Sequence, residues 1–170
     1  MGDTSIRRAS VSEVRTLAEL GRDTFVETFG RLYPPEDLSA FLQATYSAKA
    51  FGRFLGDPAQ AVFIAEPEGR PVGYAHAGPC TLPHPQADRS HGELKRLYVR
   101  REAQNAGVGG QLLRAALDWL EAPGRPLWIG VWSQNLGAQR LYARHGFQKV
   151  GEYDFPVGRT LDHEFILRRG

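Results

Sequence analysis

The stretch AQNAGVGGQLL, from Ala103 to Leu113, places three glycines within four positions directly before an apolar run with helical spacing. A strand candidate, GELKRLYV, precedes it, so the glycines lie where a strand becomes a helix. The N–H groups of a first helical turn have no partner within the helix and lie at the positive end of its dipole. Glycine lets an anion approach these groups closely. The stretch therefore predicts an anion-binding turn.

Two common phosphate-binding motifs do not match this turn. A P-loop requires Lys followed by Ser or Thr after its glycines, and the dinucleotide fingerprint requires a glycine where Leu112 stands. What remains is the pattern Gln-x-x-Gly-x-Gly, formed by Gln104, Gly107 and Gly109. With glycine at about 7% of residues, roughly one unrelated chain in six contains a pattern of this kind. The interpretation therefore depends on the surrounding sequence.

The rest of the chain predicts a regular alternation of elements. A short strand is expected from Thr4 to Arg8, and Ser10 with Glu13 forms a capping box before a first helix. Two shorter helices follow, and residues 61–78 are typical of a β-hairpin. After the glycines come a helix, a β-rich run, a helix that Asn135 can cap, and two final strands.

This order predicts one α/β (α+β) domain spanning residues 1–170, built on a mixed sheet. Strands joined by hairpins pair antiparallel, whereas strand-helix-strand connections favour parallel pairing. The chain of 170 residues, with 42% hydrophobic residues, is long enough for one substantial core. It contains no repeat and no interdomain linker.

The composition argues against several classes of function. The net charge is only +2 and no run of basic residues occurs, so neither nucleic acid nor a membrane surface is an expected partner. Cys80 is the single cysteine, which rules out an internal disulfide and a cysteine zinc site. The five histidines lack metal-ligand spacing, so no metal is expected. Without a signal peptide or a membrane-spanning segment, we expect a cytoplasmic protein.

Two ordered motifs resemble the GNAT superfamily of N-acetyltransferases. The first is the strand ELKRLYV followed by the Gln104 to Gly109 pattern and a helix, and the second is NLGAQRLYARHGF. Asn105 stands where that superfamily often has glycine, and Arg101 where it often has proline. Asparagine tolerates left-handed backbone, so the first departure is mild. The segment DTFVETFGRLYPPEDLSAFL also resembles the PaiA-type polyamine-acetylating branch.

The resemblance implies a mostly antiparallel central sheet of about seven strands with helices on both faces, and acetyl-CoA as cosubstrate. The fourth and fifth strands, Glu93 to Val99 and Leu127 to Val131, would splay apart where the cosubstrate enters. Its diphosphate would bind backbone N–H groups from Gln104 to Gly110, and its pantetheine would extend along the fourth strand like an added strand. The implied cosubstrate-binding residues are Leu97, Tyr98, Val99, Gln104, Asn105, Ala106, Gly107, Val108, Gly109, Gly110, Asn135 and Tyr142.

The same resemblance implies roles for two side chains. The Tyr142 hydroxyl would donate a hydrogen bond to the departing sulfur, although this residue also suits a core position. An alkylamine has a pKa near 10.4, so a base must receive its proton. Glu93, on the fourth strand, is the leading candidate, and the alternative is an ordinary ion pair with Lys95 or Arg96. A backbone N–H of the fourth strand would stabilise the oxyanion.

The acceptor is less well defined by the sequence. Phe25, Phe29, Tyr33, Tyr74 and His76 are candidates for lining its pocket, although each also suits the core. Three further acidic residues, Glu27, Glu36 and Asp37, would suit a cationic acceptor or simply a helix N-terminus.

The sequence therefore predicts an acetyl-CoA-dependent N-acetyltransferase that moves the acetyl group directly to a primary amine of a small molecule or polyamine. The alternatives are a peptide or protein amine as acceptor, and a CoA-binding module without catalysis. The oligomeric state is open, and a homodimer is one option.

Overall fold

The computed structural model describes residues 5–170, and seven of its strands form a single sheet. The element order predicted from the sequence is confirmed. Thr4, where the first strand was expected to begin, lies outside the described residues. The strands are β1 (Ile6–Arg8), β2 (Ala61–Ala65), β3 (Gly73–Pro79), β4 (Gly92–Val99), β5 (Leu127–Trp132), β6 (Gln148–Val157) and β7 (Thr160–Arg169). The helices are α1 (Val14–Phe29), α2 (Pro35–Thr45), α3 (Ala48–Leu55), α4 (Val108–Leu120) and α5 (Leu136–Arg144).

The strands lie in the order β1-β2-β3-β4-β5-β7-β6, and every neighbouring pair except β4 and β5 is antiparallel. Helices cover both faces of this sheet. On one face the apolar stripe of α4, including Leu112, Leu113 and Leu120, packs against β3 and β4. On the other face α1 and α3 bury Leu17, Leu20 and other apolar residues. The predicted fold class, mixed and mostly antiparallel with helices on both faces, is confirmed.

The local signals in the sequence account for the helix ends. The Glu13 carboxylate accepts a hydrogen bond from the Ser10 backbone N–H at 2.7 Å, and a short 3-10 turn leads into α1. The Asn135 side chain accepts from the Ala138 N–H at 3.1 Å and caps α5, as predicted. In the part of the chain that the structure describes, no helix has both the length and the apolar character that crossing a bilayer requires.

The parallel pair of strands at the centre of the sheet separates after a short paired stretch. Residues from Gly92 to Leu94 pair with the first residues of β5, from Leu127 to Ile129. Beyond these pairs β4 continues to Val99 without a β5 partner. The predicted splay of the two strands is therefore present, and it opens toward the glycine turn that precedes α4.

A β-bulge lies at the point where the strands part. The register between β3 and β4 shifts so that His76 faces Arg96 whereas Ala77 faces Leu94, which leaves Lys95 as the extra residue. A bulge changes the direction of the side chains that follow it. After the bulge, Arg96 and Tyr98 lie on the side of the sheet that carries α1 and α3.

Candidate functional site

The glycine turn adopts the left-handed backbone that its composition predicts. Gly107 is the residue before α4 and has φ +82°, and a Cβ added there would have no atom within 4 Å. Asn105, which stands at a position where the resemblance favours glycine, also has a positive φ of 66°. Both residues turn the chain sharply at the helix N-terminus. The surface above the turn is consequently open to a ligand.

The backbone N–H groups of this turn are free to bind an anion. From Asn105 to Gly110, no N–H donates to an acceptor within residues 5–170, and no acidic residue lies in the first turn of α4. One member of the predicted set differs, because the Gln104 N–H donates to the Arg101 carbonyl at 3.2 Å. The Gln104 side chain donates to the Val99 carbonyl at 3.0 Å and ties the turn to the end of β4.

A cavity of about 400 Å³ lies where β4 and β5 part. Leu97 and Tyr98 of β4 line it, together with residues of α1, α2, β6 and β7. The cavity therefore lies beside the unpaired edge of β4, on the strand that leads to the glycine turn. We call this cavity the chamber, and the unpaired edge of β4 leading to the glycine turn the groove. The two are continuous, because Leu97 and Tyr98 belong to both.

Many aromatic side chains line the chamber. Phe25, Phe29 and Tyr33, which the sequence suggested as acceptor residues, all line it. Tyr74 and His76 do not lie among its lining residues. Both belong to β3, one strand further from the opening, and α3 covers them: Tyr74 packs against Phe51, and His76 packs against Phe54. The expectation that these two residues line the acceptor chamber is not met.

Tyr142 and Asn135 reach the chamber from α5. Tyr142 is 5% exposed, and its hydroxyl makes no hydrogen bond with the described part of the chain. Burial raises the pKa of this phenol, so the hydroxyl keeps its proton. The side chain also packs with the buried apolar residues of α4. Tyr142 therefore belongs both to the core and to the chamber wall. Tyr142 can therefore donate one hydrogen bond into the chamber.

Glu93 lies on the chamber wall with an established set of partners. Its Oε1 atom accepts from the Thr81 N–H at 2.9 Å and from Lys95 Nζ at 3.2 Å. The ion pair with Lys95 is the ordinary structural role that the sequence left open for this residue. Arg96, the other partner suggested, forms no ion pair with it in residues 5–170. Glu93 can contact a ligand in the chamber, but its charge is already partly compensated.

A second carboxylate on the chamber wall was not identified from the sequence. Glu164 of β7 is partly buried, and its Oε2 atom has no hydrogen-bond partner within the described chain. Burial, together with the nearby Asp162, raises its pKa from 4.5 to about 7. Asp162 is buried and accepts a hydrogen bond from the Tyr33 hydroxyl. The only sequence signal is that these two acids lie two residues apart and so share one face of a strand.

The three acidic residues suggested for a cationic acceptor have other partners. Glu36 and Asp37 bind Arg159, at 2.7 Å and 3.1 Å. Glu27 accepts from the Arg101 backbone N–H at 3.1 Å and thereby joins α1 to the segment before the glycine turn. None of the three is among the residues that line the chamber. The carboxylates that face the chamber come from β4 and β7 instead.

The comparison with protein families identifies a match over most of the chain. The model of the acetyltransferase (GNAT) family matches residues 19–147. An uncharacterized N-acetyltransferase in the pepI 3' region of Lactobacillus delbrueckii subsp. lactis is 28% identical over 99% of this chain and 98% of its own length. The spermine/spermidine N(1)-acetyltransferase of Bacillus subtilis is 33% identical over 57% of this chain and 65% of its own length.

The fold is similar to that of solved acetyltransferase structures. The PaiA N-acetyltransferase from Thermoplasma acidophilum, solved in complex with coenzyme A, superimposes with a TM-score of 0.77 at 20% identity. The match covers 98% of both chains. The ribosomal-protein-S18-alanine N-acetyltransferase from Escherichia coli gives a TM-score of 0.71 at 18% identity, over 98% of this chain and 93% of that one.

Proposed function

This chain belongs to the acetyltransferase (GNAT) family and is an N-acetyltransferase that uses acetyl-CoA, and we propose that its acceptor is the primary amine of a small molecule. The observation that carries the proposal is the aromatic chamber of about 400 Å³ beside the unpaired edge of β4. Its volume falls within the range of roughly 300–1,000 Å³ that is typical of small-molecule sites. Polyamines are one group within this class, and the similarity to the Bacillus subtilis enzyme supports them.

The residues of the groove fit the cosubstrate. The free N–H groups from Asn105 to Gly110 would hold the diphosphate, because they combine unsatisfied donors with the positive end of the α4 dipole. The backbone of Leu97, Tyr98 and Val99, which β5 does not pair, would bind the amides of the pantetheine. Acetyl-CoA supplies the thioester whose acetyl group is transferred. Asn135 and Tyr142 line the chamber where the pantetheine arm would end.

Two carboxylates are candidates for receiving the proton of the amine. Glu93 is the residue that the sequence suggested, and it remains a candidate because it lines the chamber. Glu164 has the more suitable electrostatics, since a general base works best when its pKa lies near the working pH. Its pKa of about 7 meets that requirement, and its side chain lines the chamber without an ion pair among the described residues. Glu93 would first have to weaken its ion pair with Lys95.

An assay of CoA release with a panel of primary amines tests the proposed acceptor class. Steady turnover with small amines supports the proposal. Turnover with peptides alone would indicate a protein acceptor, and tight acetyl-CoA binding without any turnover would indicate a binding module. A cytoplasmic location and a homodimer stay predictions, which fractionation and light scattering can test.

The same assay, run across pH, separates the two candidate bases. We expect kcat/KM of the unmodified enzyme to rise through pH 7 as Glu164 loses its proton. Glu164→Gln should remove this rise of kcat/KM with pH, called the step below. It should also lower kcat/KM about 100-fold, the lower end of typical general-base effects. If Glu93→Gln removes the step instead and Glu164→Gln leaves it in place, Glu93 is the base.

A further inference from the structure

Arg96 is a cation on the chamber wall that has no counter-ion among the described residues. It follows the Lys95 bulge, and its guanidinium packs over the rings of Tyr46, 4.7 Å from the centroid, and Phe54, at 5.2 Å. In residues 5–170 it forms no salt bridge, and its Nη1 atom is buried without a hydrogen-bond partner. A buried charge is costly unless a partner compensates it. The residue as a whole is only partly buried and lines the chamber, and its side chain donates no hydrogen bond within the described residues, so the guanidinium has donors available for an anion that enters the chamber.

The same chamber contains carboxylates, and one of them has an oxygen without any partner in the described residues. Glu164 has a buried oxygen without a partner and forms no ion pair with Arg96. Glu93 forms an ion pair with Lys95, whereas Asp162 accepts a hydrogen bond from the neutral Tyr33 hydroxyl and has no cationic partner among the described residues. Arg96, Tyr98 and Glu164 all line this one chamber.

We propose that the acceptor is an amine that also carries a carboxylate, with the carboxylate bound by Arg96 and the amino group facing Glu164. This inference rests on the proposed function and names the substrate class within it. The planar guanidinium of arginine matches the geometry of a carboxylate, and such charge-assisted hydrogen bonds are among the strong ones. The aromatic wall packs the carbon chain between the two ends. A polyamine would instead bring a second positive charge toward Arg96.

Matched pairs of acceptors test this inference on the unmodified enzyme. The panel contains L-α-amino acids and unbranched ω-amino carboxylates of increasing length, each beside its own primary carboxamide, together with spermidine. Rates are compared at equal concentrations of neutral amine, because the carboxamide lowers the basicity of a nearby amino group. We expect at least one carboxylate to exceed its carboxamide by about 10- to 100-fold in kcat/KM, the range of a hydrogen bond to a charged group.

Three variants connect that preference to the arginine. Arg96→Gln should raise KM for the carboxylates by a similar factor and so bring the ratio of carboxylate to carboxamide close to one, whereas Arg96→Lys should keep part of the preference. Arg89→Gln is the matched control, because Arg89 is an exposed arginine that lines a neighbouring smaller cavity and not the chamber. Thermal unfolding and acetyl-CoA binding by calorimetry show whether each variant is folded.

Two results would overturn the inference and can be told apart. If carboxamides or spermidine are acetylated as well as the carboxylates or better, the substrate class is wrong while the N-acetyltransferase function stands. If no amine of the panel releases CoA, the proposed acceptor class fails, and the inference fails with it. Should Arg96→Gln not fold, the ratio of carboxylate to carboxamide measured on the unmodified enzyme decides alone.

Discussion

The Tyr142 hydroxyl faces the chamber with no acceptor in the described chain, and burial raises its pKa. Full transfer of its proton to a thiolate would therefore be more unfavourable than for an exposed phenol, since a free thiol has a pKa near 8.5. Donation of a hydrogen bond to the sulfur requires no such transfer. The buried position that makes this residue part of the core also keeps its hydroxyl protonated.

We expect Tyr142→Phe to lower kcat by about 10- to 100-fold, because a hydrogen bond to a charged acceptor contributes about 1.5–3 kcal/mol. Acetyl-CoA affinity should change little, which calorimetry measures beside the steady-state assay. Tyr74→Phe is the matched control, since Tyr74 is equally buried but does not line the chamber. Equal kcat in Tyr142→Phe and the unmodified enzyme would remove the hydroxyl from the mechanism.

The raised pKa of Glu164 should affect the stability of the protein as well as the reaction rate. Its pKa is about 7 in the folded protein and near 4.5 when exposed, so between these values the folded state binds more protons than the unfolded state. Its favourable contribution is present below pH 4.5 and is lost as pH rises through 7. The ionised side chain then costs about 1–3 kcal/mol.

The free energy of unfolding of Glu164→Gln, measured relative to that of the unmodified protein, should consequently increase as pH rises from 4.5 to 8. Denaturant unfolding at several pH values measures this difference. Glu152→Gln is the control, because a hydrogen bond from Lys149 lowers the pKa of Glu152 below 4.5, so its contribution is already complete above that pH and its difference from the unmodified protein should stay nearly flat from pH 4.5 to 8. A difference between Glu164→Gln and the unmodified protein that does not vary with pH would contradict the raised pKa.

At the scale of elements, the junction between β4 and α4 is the part of the site that local sequence determines most fully. The left-handed conformation of Gly107 and the free N–H groups follow from the residues themselves and from the general properties of a helix N-terminus. Gln104 is the exception, because its backbone N–H donates to the Arg101 carbonyl and is not free. Arg101 also explains one departure from the family pattern, because a proline there could not donate its N–H to Glu27.

The residues that were misjudged or missed depend on packing between elements. Tyr74 and His76 are residue types that suit an acceptor pocket, but α3 packs over both of them. The sequence of β3 alone does not indicate that a helix packs there. Glu164 belongs to the last strand, and only the strand order brings β7 beside β5. Its raised pKa arises from burial in the assembled chamber. Local sequence therefore determines the glycine turn, whereas the wall of the chamber depends on how distant elements pack.

The glycine turn permits a closely matched mutational test. Gly107→Glu should abolish acetyl-CoA binding, because the new side chain would occupy and repel the diphosphate position. Gly124→Glu is the control, since Gly124 also has a positive φ, of 72°, and open space around it, but it follows the opposite end of α4. Both variants carry a similar backbone strain of about 1–3 kcal/mol. Calorimetric binding that is unchanged in Gly107→Glu would refute the assignment of the turn.

For the whole molecule, the sheet would bring the two proposed substrates together in one place. The splay of β4 and β5 opens the groove from one direction, while α1, α2, β6 and β7 enclose the chamber from the other. The thioester and the amine can then meet directly, and no side chain has to carry the acetyl group between two sites. The single cysteine fits this view, because Cys80 packs with Trp128 and Ile166 and does not line the chamber.

We therefore expect sequential kinetics, with both substrates bound before CoA leaves. Initial rates measured over a grid of acetyl-CoA and amine concentrations should give intersecting double-reciprocal lines. Cys80→Ala should keep kcat within about twofold, because burial raises the pKa of this thiol and holds it in the unreactive protonated form. Parallel lines, together with loss of activity in Cys80→Ala and an acetylated cysteine in the mass spectrum, would indicate a covalent intermediate instead. Such a result would require the chain to move Cys80 into the chamber during turnover, because its side chain is only 2% exposed in the present structure.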